Sequence, residues 1–266
     1  MKYQLRNLLF LTILCLPGLA IADIAVLIHG YHSSGGSWRS KGIVHLLGSH
    51  GWRDAGIYTP AIHHTGYPGH TLDNSPRQLV TAELPSESPI EIQAELLSQY
   101  LTDISTRFPA QPIHLIAHSA GGIVARLSLV KNSGLHIVQL ITIATPHLGS
   151  PIAEMAEQAS NSPIGVIAPL IGADDINRAE TLYKQLSREK ENYFLFWLNR
   201  QPHPEIAYTS IVRASGSLIN GDRLVPPYSQ NMAFVPAIGP RSRLIMTPGN
   251  HKLKYQDGLA LLPLLP

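Results

Sequence analysis

Ser119 lies where an apolar, strand-like run, "PIHLIA", changes into a helix-like run, "GGIVARLSLV". Ala117 and Gly121, two positions to either side, give the small-x-Ser-x-small spacing of a nucleophile elbow, a sharp turn that lifts a serine hydroxyl above the edge of a sheet. Small residues are needed there because the helix after the turn crosses close to the strand before it. The pattern predicts a serine placed for nucleophilic attack.

A serine nucleophile needs a base, which in turn is oriented by a carboxylate. Asp222 follows the strand-like run "EIAYTSIVRAS", and His251 follows the run "RLIMTPG". The order Ser, Asp, His, with each residue after a separate strand, predicts that Ser119, Asp222 and His251 act together. Read alone, the residues around Asp222 form only a turn and His251 is one of 13 histidines. Asp174 and Asp175 remain alternative carboxylates.

The oxyanion of a tetrahedral intermediate needs backbone N–H donors. The amide of Ala120, at the start of the helix after the serine, is one expected donor, and the amide of Tyr31, in the loop after the first strand, is the other. His29 and Gly30 directly precede Tyr31, and His118 directly precedes the serine. We therefore place these three residues near the site. Read alone, the loop is an ordinary glycine-rich turn.

Short apolar runs alternate with helical patterns along the chain, which predicts an α/β fold with about six mostly parallel strands covered by helices. One helix is expected after Ser88, with Ser88 as its cap, Pro89 in the first turn and Glu91 closing a capping box. Its buried face should carry apolar residues at helical spacing, namely Ile90, Leu97, Leu101, Ile104 and Phe108. The strand-like runs are "IAVLIHG", "GIYTP", "PIHLIAHS", "HIVQLITIAT", "EIAYTSIVRAS" and "RSRLIMTPG".

Two segments interrupt the alternation. Residues 60–88 are rich in Pro, Gly and His and predict a long loop. His63, His64 and His70 cluster in it, but they lack a paired spacing with other ligands, so a structural zinc site is the weaker interpretation and we predict no metal. Residues 150–205 hold an apolar patch at 163–172 and a helix-like run, "INRAETLYKQLSREKEN", and are a candidate lid.

The first 22 residues have the pattern of a secretory signal: Lys2 and Arg6, an apolar run, then small residues up to Ala22. The apolar run is shorter than the roughly 20 residues that span a bilayer, so a cleaved signal is favoured over a membrane anchor. Cleavage would remove two positive charges and no negative ones, so the net charge falls from +2 to 0. Cys15, the only cysteine, would leave as well. We predict one exported domain, periplasmic or secreted, over residues 23–266, without disulfides or a nucleic-acid partner.

These motifs resemble those of the α/β-hydrolase superfamily, in particular the small bacterial lipases and the inositol-deacylase-like esterases. The matching pieces are "LIHGY", "AHSAGG", "ATPHLGS", "GDRLVP" and "GNH", spread over nearly all of the chain after the signal. The resemblance implies that His147, within "ATPHLGS", lies near the pocket. The chain departs from the family pattern at Ala117 and Arg223, where members often have glycine.

Together the residues and the resemblance favour a serine carboxylic-ester hydrolase that forms an acyl-enzyme and acts on a small-molecule or lipid ester, with transient contact to a lipid surface. Such a reaction needs no cofactor, and the sequence has neither a Walker-type glycine motif nor a dinucleotide fingerprint. An acyltransferase, a phospholipase or a thioesterase would use the same residues. A non-catalytic binding protein with this fold is a further alternative. The oligomeric state is left open.

Overall fold

The computed structural model describes residues 23–59, 71–132, 134–160, 179–214 and 221–266. Several sequence predictions fall outside these ranges: the signal segment 1–22 with Cys15, the histidines at 63, 64 and 70, the apolar patch 163–172, Asp174 and Asp175.

The described strands form one sheet in the order β2-β3-β1-β4-β5-β6-β7, and all of its neighbouring strands are parallel. The predicted α/β class is therefore confirmed. The strands are β1 Asp23–Ile28, β2 Arg53–Tyr58, β3 Arg77–Ala82, β4 Ile113–His118, β5 Ile137–Ile143, β6 Ala207–Arg213 and β7 Ser242–Thr247.

Helices cover both faces of the sheet. None of those in the described part of the chain combines the length and the apolar character needed to cross a bilayer. They are α1 Ser37–Ser40, α2 Ile43–Gly48, α3 Ile90–Arg107, α4 Ala120–Lys131, α5 Pro151–Ser160, α6 Glu180–Leu186, α7 Phe194–Leu198, α8 Pro227–Gln230 and α9 Tyr255–Leu261, with short 3-10 turns at Met232–Phe234, Gly239–Arg241 and Leu262–Leu264.

The central strands are buried on both faces, as their unbroken apolar runs indicate. In β1, Ile24, Val26 and Ile28 pack with the core on the α3 and α4 side, whereas Ala25 and Leu27 pack with the core on the α1, α2 and α9 side. Alternate side chains of a strand point to opposite faces, so one short strand supports both cores.

We predicted one long loop over residues 60–88, and this was wrong in part. Strand β3 lies within these residues and pairs with both β1 and β2. This makes seven strands where about six were expected. Gln78 and Thr81 give β3 a mixed polar pattern, although both side chains are buried. Gln78 is held by hydrogen bonds to Arg53 and Asp73, and Arg39 donates to Thr81. Gln78 and Thr81, which make the strand hard to recognise in the sequence, are thus hydrogen-bonded to other residues in the fold.

Helix α3 buries the predicted apolar face but begins differently from the prediction. Pro89 is its N-cap, and no side chain of that residue or of Ser88 caps the first turn. Instead, Oε1 of Gln185, on α6, accepts a hydrogen bond from the amide of Ile90 at 2.8 Å, and Nε2 of Gln185 donates to Glu91. Such a cap cannot be read from neighbouring residues, because its acceptor comes from a distant part of the chain.

Within the candidate lid region, the chain before α5 and the chain after α6 lie side by side. Ser150 and Ser187 form a parallel bridge, and the amide of Ser150 donates to the carbonyl oxygen of Leu186 at 2.8 Å. Glu154, on α5, pairs with Arg188 and with Lys190 beyond α6. The described helix α6 ends at Leu186, so the helical pattern that we extended to residue 192 was too long.

Helix α4 starts in close contact with the ends of β1 and β5. A Cβ added to Gly121 would lie 3.0 Å from the carbonyl oxygen of Ile28 and still closer to that of His29, and one added to Gly122 would collide with the side chain of Thr145. Glycine at both positions lets the helix backbone approach the sheet, which is the crossing that the elbow pattern predicts.

We expect Gly121→Ala to reduce the free energy of unfolding by at least about 1–3 kcal/mol, since the new methyl group meets backbone that cannot move without shifting β1. Gly48→Ala, on α2, is the matched control: nothing lies within 4 Å of its added Cβ. The control should be unchanged or up to about 1 kcal/mol more stable. Urea denaturation measures both, and equal midpoints for Gly121→Ala and the wild type would contradict the close crossing.

Candidate active site

Ser119 connects β4 to α4 in a backbone conformation that is rare for a residue with a side chain. Its φ is 54° and its ψ is −131°. Its amide still donates to the carbonyl oxygen of Ile143, on the neighbouring β5, at 2.9 Å. Strain of this kind persists only where the surrounding structure fixes the turn, as β4, β5 and the glycines of α4 do here.

A continuous line of hydrogen bonds joins the three residues that the sequence singled out. Oγ of Ser119 lies 2.7 Å from Nε2 of His251, and Nδ1 of His251 lies 2.7 Å from Oδ2 of Asp222. A carboxylate only accepts, so Nδ1 carries the proton and Nε2 is free to accept from the serine hydroxyl. The imidazole is therefore in the tautomer that can take a proton from Ser119.

The carboxylate of Asp222 is fully buried and its position is fixed at both oxygens. Oδ1 accepts from the amides of Leu224 and Val225, each at 2.9 Å, while Oδ2 accepts from His251. Arg223, which stands where related sequences often have glycine, is exposed. The departure from the family pattern thus leaves the carboxylate undisturbed.

His118 supports the site through the main chain of the neighbouring loop. Its Nε2 donates to the carbonyl oxygen of His251 at 2.8 Å, and the two rings lie 5.4 Å apart. Burial, with a smaller contribution from His251, lowers the pKa of His118 to about 3. A neutral His118 beside His251 adds no positive charge that would oppose protonation of the latter.

The loop after β1 brings the backbone of residues 29–31 against the elbow. A Cβ on Gly30 would lie 2.8 Å from Cβ of Ser119 and 3.4 Å from the amide nitrogen of Ala120. His29 is buried and fixes this loop, because its Nε2 accepts from the amide of Leu84 at 3.1 Å and its Nδ1 donates to the carbonyl oxygen of Gly30 at 3.0 Å. Burial lowers the pKa of His29 and keeps it neutral in this role.

The side chain of Tyr31 joins this loop to the candidate lid region. Its hydroxyl lies 2.6 Å from the hydroxyl of Tyr183, on α6, and the two rings meet edge to face at 5.5 Å. A shift of α6 would therefore displace Tyr31 and the loop beside Ser119.

His147 is fully buried and contacts side chains of both α4 and β5. Its Nε2 bonds Oγ1 of Thr142 at 3.0 Å, and its Nδ1 faces a nitrogen of the buried Arg126 at 3.4 Å. Arg126 also donates to Nε2 of His203 at 3.2 Å. Burial lowers the pKa of His147 well below its usual value, that of His203 to about 3 and that of Arg126 to about 9. In the described structure, the side-chain bonds of His147 tie β5 to α4 and do not reach Ser119.

The loop that carries His251 is held by a buried ion pair. Arg213, the last residue of β6, donates to both carboxylate oxygens of Asp257, on α9, at 2.5 and 2.7 Å. It also donates to Oγ1 of Thr247 at 2.8 Å and to the carbonyl oxygen of Lys252 at 3.4 Å. These contacts span the loop on both sides of His251. Sequence reasoning missed the pair because no local pattern connects residues from β6 and α9.

Sequence reasoning also missed Gln230, at the end of α8. Its Nε2 donates to Oδ2 of Asp222 at 3.0 Å, the oxygen that accepts from His251. The side chain lies nowhere near the serine motif in the sequence, and a lone glutamine has no recognisable spacing.

Across the described ranges, no group of three or more His, Cys, Asp or Glu side chains is arranged to hold a metal ion. What the site brings together is a hydroxyl, an imidazole and a carboxylate, the set used for nucleophilic acyl transfer.

Comparison with known proteins gives a match to the model of the alpha/beta hydrolase family over residues 25–258. Among solved structures, a lipase of Bacillus licheniformis in its mature form is 16% identical, with 92% of this chain and 90% of that chain covered and a TM-score of 0.60. A gene product of Listeria innocua is 11% identical, with 91% and 94% covered and a TM-score of 0.58. A thioesterase of the prodiginine biosynthetic pathway in Streptomyces coelicolor is 16% identical, with 92% and 86% covered and a TM-score of 0.51. At these identities the likeness is one of fold.

A curated relative, triacylglycerol lipase 2 of Saccharomyces cerevisiae, is 34% identical over 82 residues. The match covers 29% of this chain and 25% of the relative, so the chain spans about a quarter of the length of that protein.

Three of the neutral buried histidines, His118, His147 and His203, predict loss of stability in acid. Burial lowers their pKa values from the usual 6.5, so below about pH 6.5 the unfolded chain takes up protons that the folded chain does not. The free energy of unfolding should therefore fall steadily as the pH is lowered through this range, by on the order of 1 kcal/mol per pH unit for each histidine. Urea denaturation between pH 7 and pH 4 measures the slope.

His203→Gln should reduce that slope by the share of one histidine, whereas His45→Gln, which changes an exposed histidine of α2, is the control and should not. A free energy of unfolding that stays constant from pH 6.5 to pH 4.5 would contradict the buried, neutral state of these side chains.

Proposed function

Since the chain belongs to the alpha/beta hydrolase family, we propose that it is a serine carboxylic-ester hydrolase that works through an acyl-enzyme. The observation that carries the proposal is the line of two 2.7 Å hydrogen bonds from Ser119 through His251 to Asp222. The family resemblance inferred from the sequence is confirmed by the match over residues 25–258. The roles of the individual residues are our proposal.

In the first half of the reaction, Oγ of Ser119 attacks the ester carbonyl carbon while Nε2 of His251 takes the hydroxyl proton. The tautomer fixed by Asp222 leaves Nε2 unprotonated for this step, and the carboxylate stabilises the imidazolium that forms. The proton then passes from Nε2 to the oxygen of the departing alcohol. The C–O bond of the ester breaks, and the acyl group stays on Ser119.

In the second half, water replaces the alcohol. Its proton goes to Nε2 of His251 as its oxygen attacks the acyl carbon, and the same proton returns to Oγ of Ser119 when the carboxylic acid leaves. No further reactant is required, so the cycle ends with the protein in its starting state.

The amides of Tyr31 and Ala120 are proposed to hold the oxyanion in both halves. Ala120 opens α4, and Tyr31 follows Gly30, whose backbone lies against the elbow. Donors fixed before reaction stabilise developing charge without reorganising, and loss of one typically costs about 100- to 1,000-fold in rate.

We propose esters of small molecules or lipids as substrates, which the names of a triacylglycerol lipase and a Bacillus lipase among the relatives support. We propose that residues 150–205 form a lid over the site, which the contact of Tyr183, on α6, with Tyr31 in the loop beside Ser119 supports.

The first test is hydrolysis of p-nitrophenyl esters of short and long acyl chains by residues 23–266. We expect turnover by the wild type and a loss of at least about 1,000-fold in kcat for Ser119→Ala, since the nucleophile itself is removed. A fluorophosphonate probe should label the wild type and not this variant. The preferred chain length distinguishes esterase from lipase action.

Ser40→Ala, which changes an exposed serine of α1, is the matched control and should keep wild-type turnover and labelling. A folded wild type that neither hydrolyses the esters nor reacts with the probe would overturn the proposal in favour of a non-catalytic binding protein.

We propose further that the protein is exported with cleavage after Ala22. The proposal rests on Lys2 and Arg6, the apolar run that follows them and the small residues up to Ala22. Mass spectrometry of the protein from fractionated cells should give an amino terminus at Asp23 in the periplasm or medium. A full-length chain retained in the membrane fraction would instead indicate an uncleaved anchor.

A further inference from the structure

Gln230 makes three hydrogen bonds with its side chain, using both N–H donors and the carbonyl oxygen. The residue is 1% exposed. Its Nε2 donates to Oδ2 of Asp222 at 3.0 Å and to the carbonyl oxygen of Val225 at 2.7 Å. Its Oε1 accepts from the amide of Arg213, at the end of β6, at 2.8 Å. One side chain thereby joins the last residue of a sheet strand to the loop that carries the carboxylate.

The bond to Asp222 falls on the oxygen that matters for the imidazole. Oδ1 is held by the amides of Leu224 and Val225, which fix the rotation of the carboxylate from one side. Oδ2 faces Nδ1 of His251 and, in the described structure, is supported by Gln230. Both carboxylate oxygens of Asp222 therefore accept hydrogen bonds from protein groups that fix their positions.

Gln230 is uncharged, and this affects the electrostatics of Asp222 as well as its position. A cation at this position would offset the negative charge that Asp222 presents to His251. Arg213 is bonded to Gln230, but through its backbone amide, and its guanidinium is engaged by Asp257. An amide side chain thus orients the carboxylate and leaves its charge available to the imidazolium.

We propose that Gln230 is a positioning residue of the active site, holding Oδ2 of Asp222 in line with Nδ1 of His251. The inference rests on the function proposed above and extends it to a residue outside the Ser-His-Asp set. Two of the bonds of Gln230 have a structural role: the bond to Arg213 joins α8 to β6, and the bond to Val225 holds the loop before α8. The third bond, to Asp222, is what assigns the positioning role.

The first variant is Gln230→Met, which keeps the volume and removes every hydrogen bond. We expect kcat on the preferred p-nitrophenyl ester to fall about 10- to 100-fold, the effect of losing a hydrogen bond to a charged group, with KM within about two-fold of the wild type. The low-field proton NMR resonance of His251 Nδ1–H, assigned by its absence in His251→Gln, should shift or broaden. This resonance reports the bond to Asp222 without any turnover.

The second variant, Gln230→Glu, is nearly isosteric but places a carboxyl oxygen where the amide nitrogen faced two acceptors. The charged and titratable groups that its hydrogen bonds reach in the described structure are Asp222, whose Oδ2 also faces His251, and Arg213, which is paired with Asp257. Burial and the charge of Asp222 should raise the pKa of the introduced carboxyl, so that it donates a proton to Oδ2 at low pH and repels it at high pH. The kcat profile of this variant should fall at alkaline pH, where that of the wild type stays level.

Gln78→Met is the matched control, because Gln78 is also buried and also accepts from a backbone amide, that of Asp73, but lies on β3, across the sheet from Asp222. It should lower the melting temperature without changing kcat, the pH profile or the His251 resonance. If Gln230→Met and Gln230→Glu keep the wild-type kcat, pH profile and resonance, or change them only as much as Gln78→Met does, the positioning role is wrong. A wild type with no Ser119-dependent turnover would overturn the proposed function instead, and the resonance would still decide the role of Gln230.

Discussion

The close passage of α4 over the end of β1 is the constraint on which the site depends. Ser119 has a positive φ, and the chain must reverse within one residue before α4 begins. This is sterically allowed only because Gly121 and Gly122 let the helix lie against the carbonyl oxygens of β1 and the side chain of Thr145. The same crossing presses Gly30 against the serine and so determines where the amide of Tyr31 can be. The position of the Ser119 hydroxyl relative to the amides of Tyr31 and Ala120 therefore follows from one packing contact between backbones.

Electrostatically, the site has one buried carboxylate that faces His251 and a second, Asp257, that is paired with Arg213. His29 and His118 are both kept neutral by burial, and Arg213 is committed to Asp257. The charge of Asp222 is therefore directed to His251 rather than shared among several cations. In a low-dielectric interior such an arrangement has a large effect, because water does not screen it.

Much of the site could be predicted because it depends on short-range rules. Ser119 has a turn motif, and Asp222 and His251 each follow a buried strand, so their chain order and strand context identified them, and the structure brings their side chains together. What the sequence did not reveal depends on contacts between distant residues. Strand β3 has polar residues whose partners lie on other elements, the cap of α3 comes from α6, and Gln230 becomes relevant only once α8 packs beside β6.

The closed base of residues 150–187 has a consequence for how such a fold can diversify. Because Ser150 and Ser187 are bridged and Glu154 joins α5 to the chain beyond α6, the described ends of this segment are held side by side at one junction. Segments of different length could connect at that junction without altering the register of the sheet strands. Gln185 restricts such exchanges. Any segment that replaces residues 150–187 must still place an acceptor at the amide of Ile90, or the first turn of α3 loses its hydrogen-bond partner.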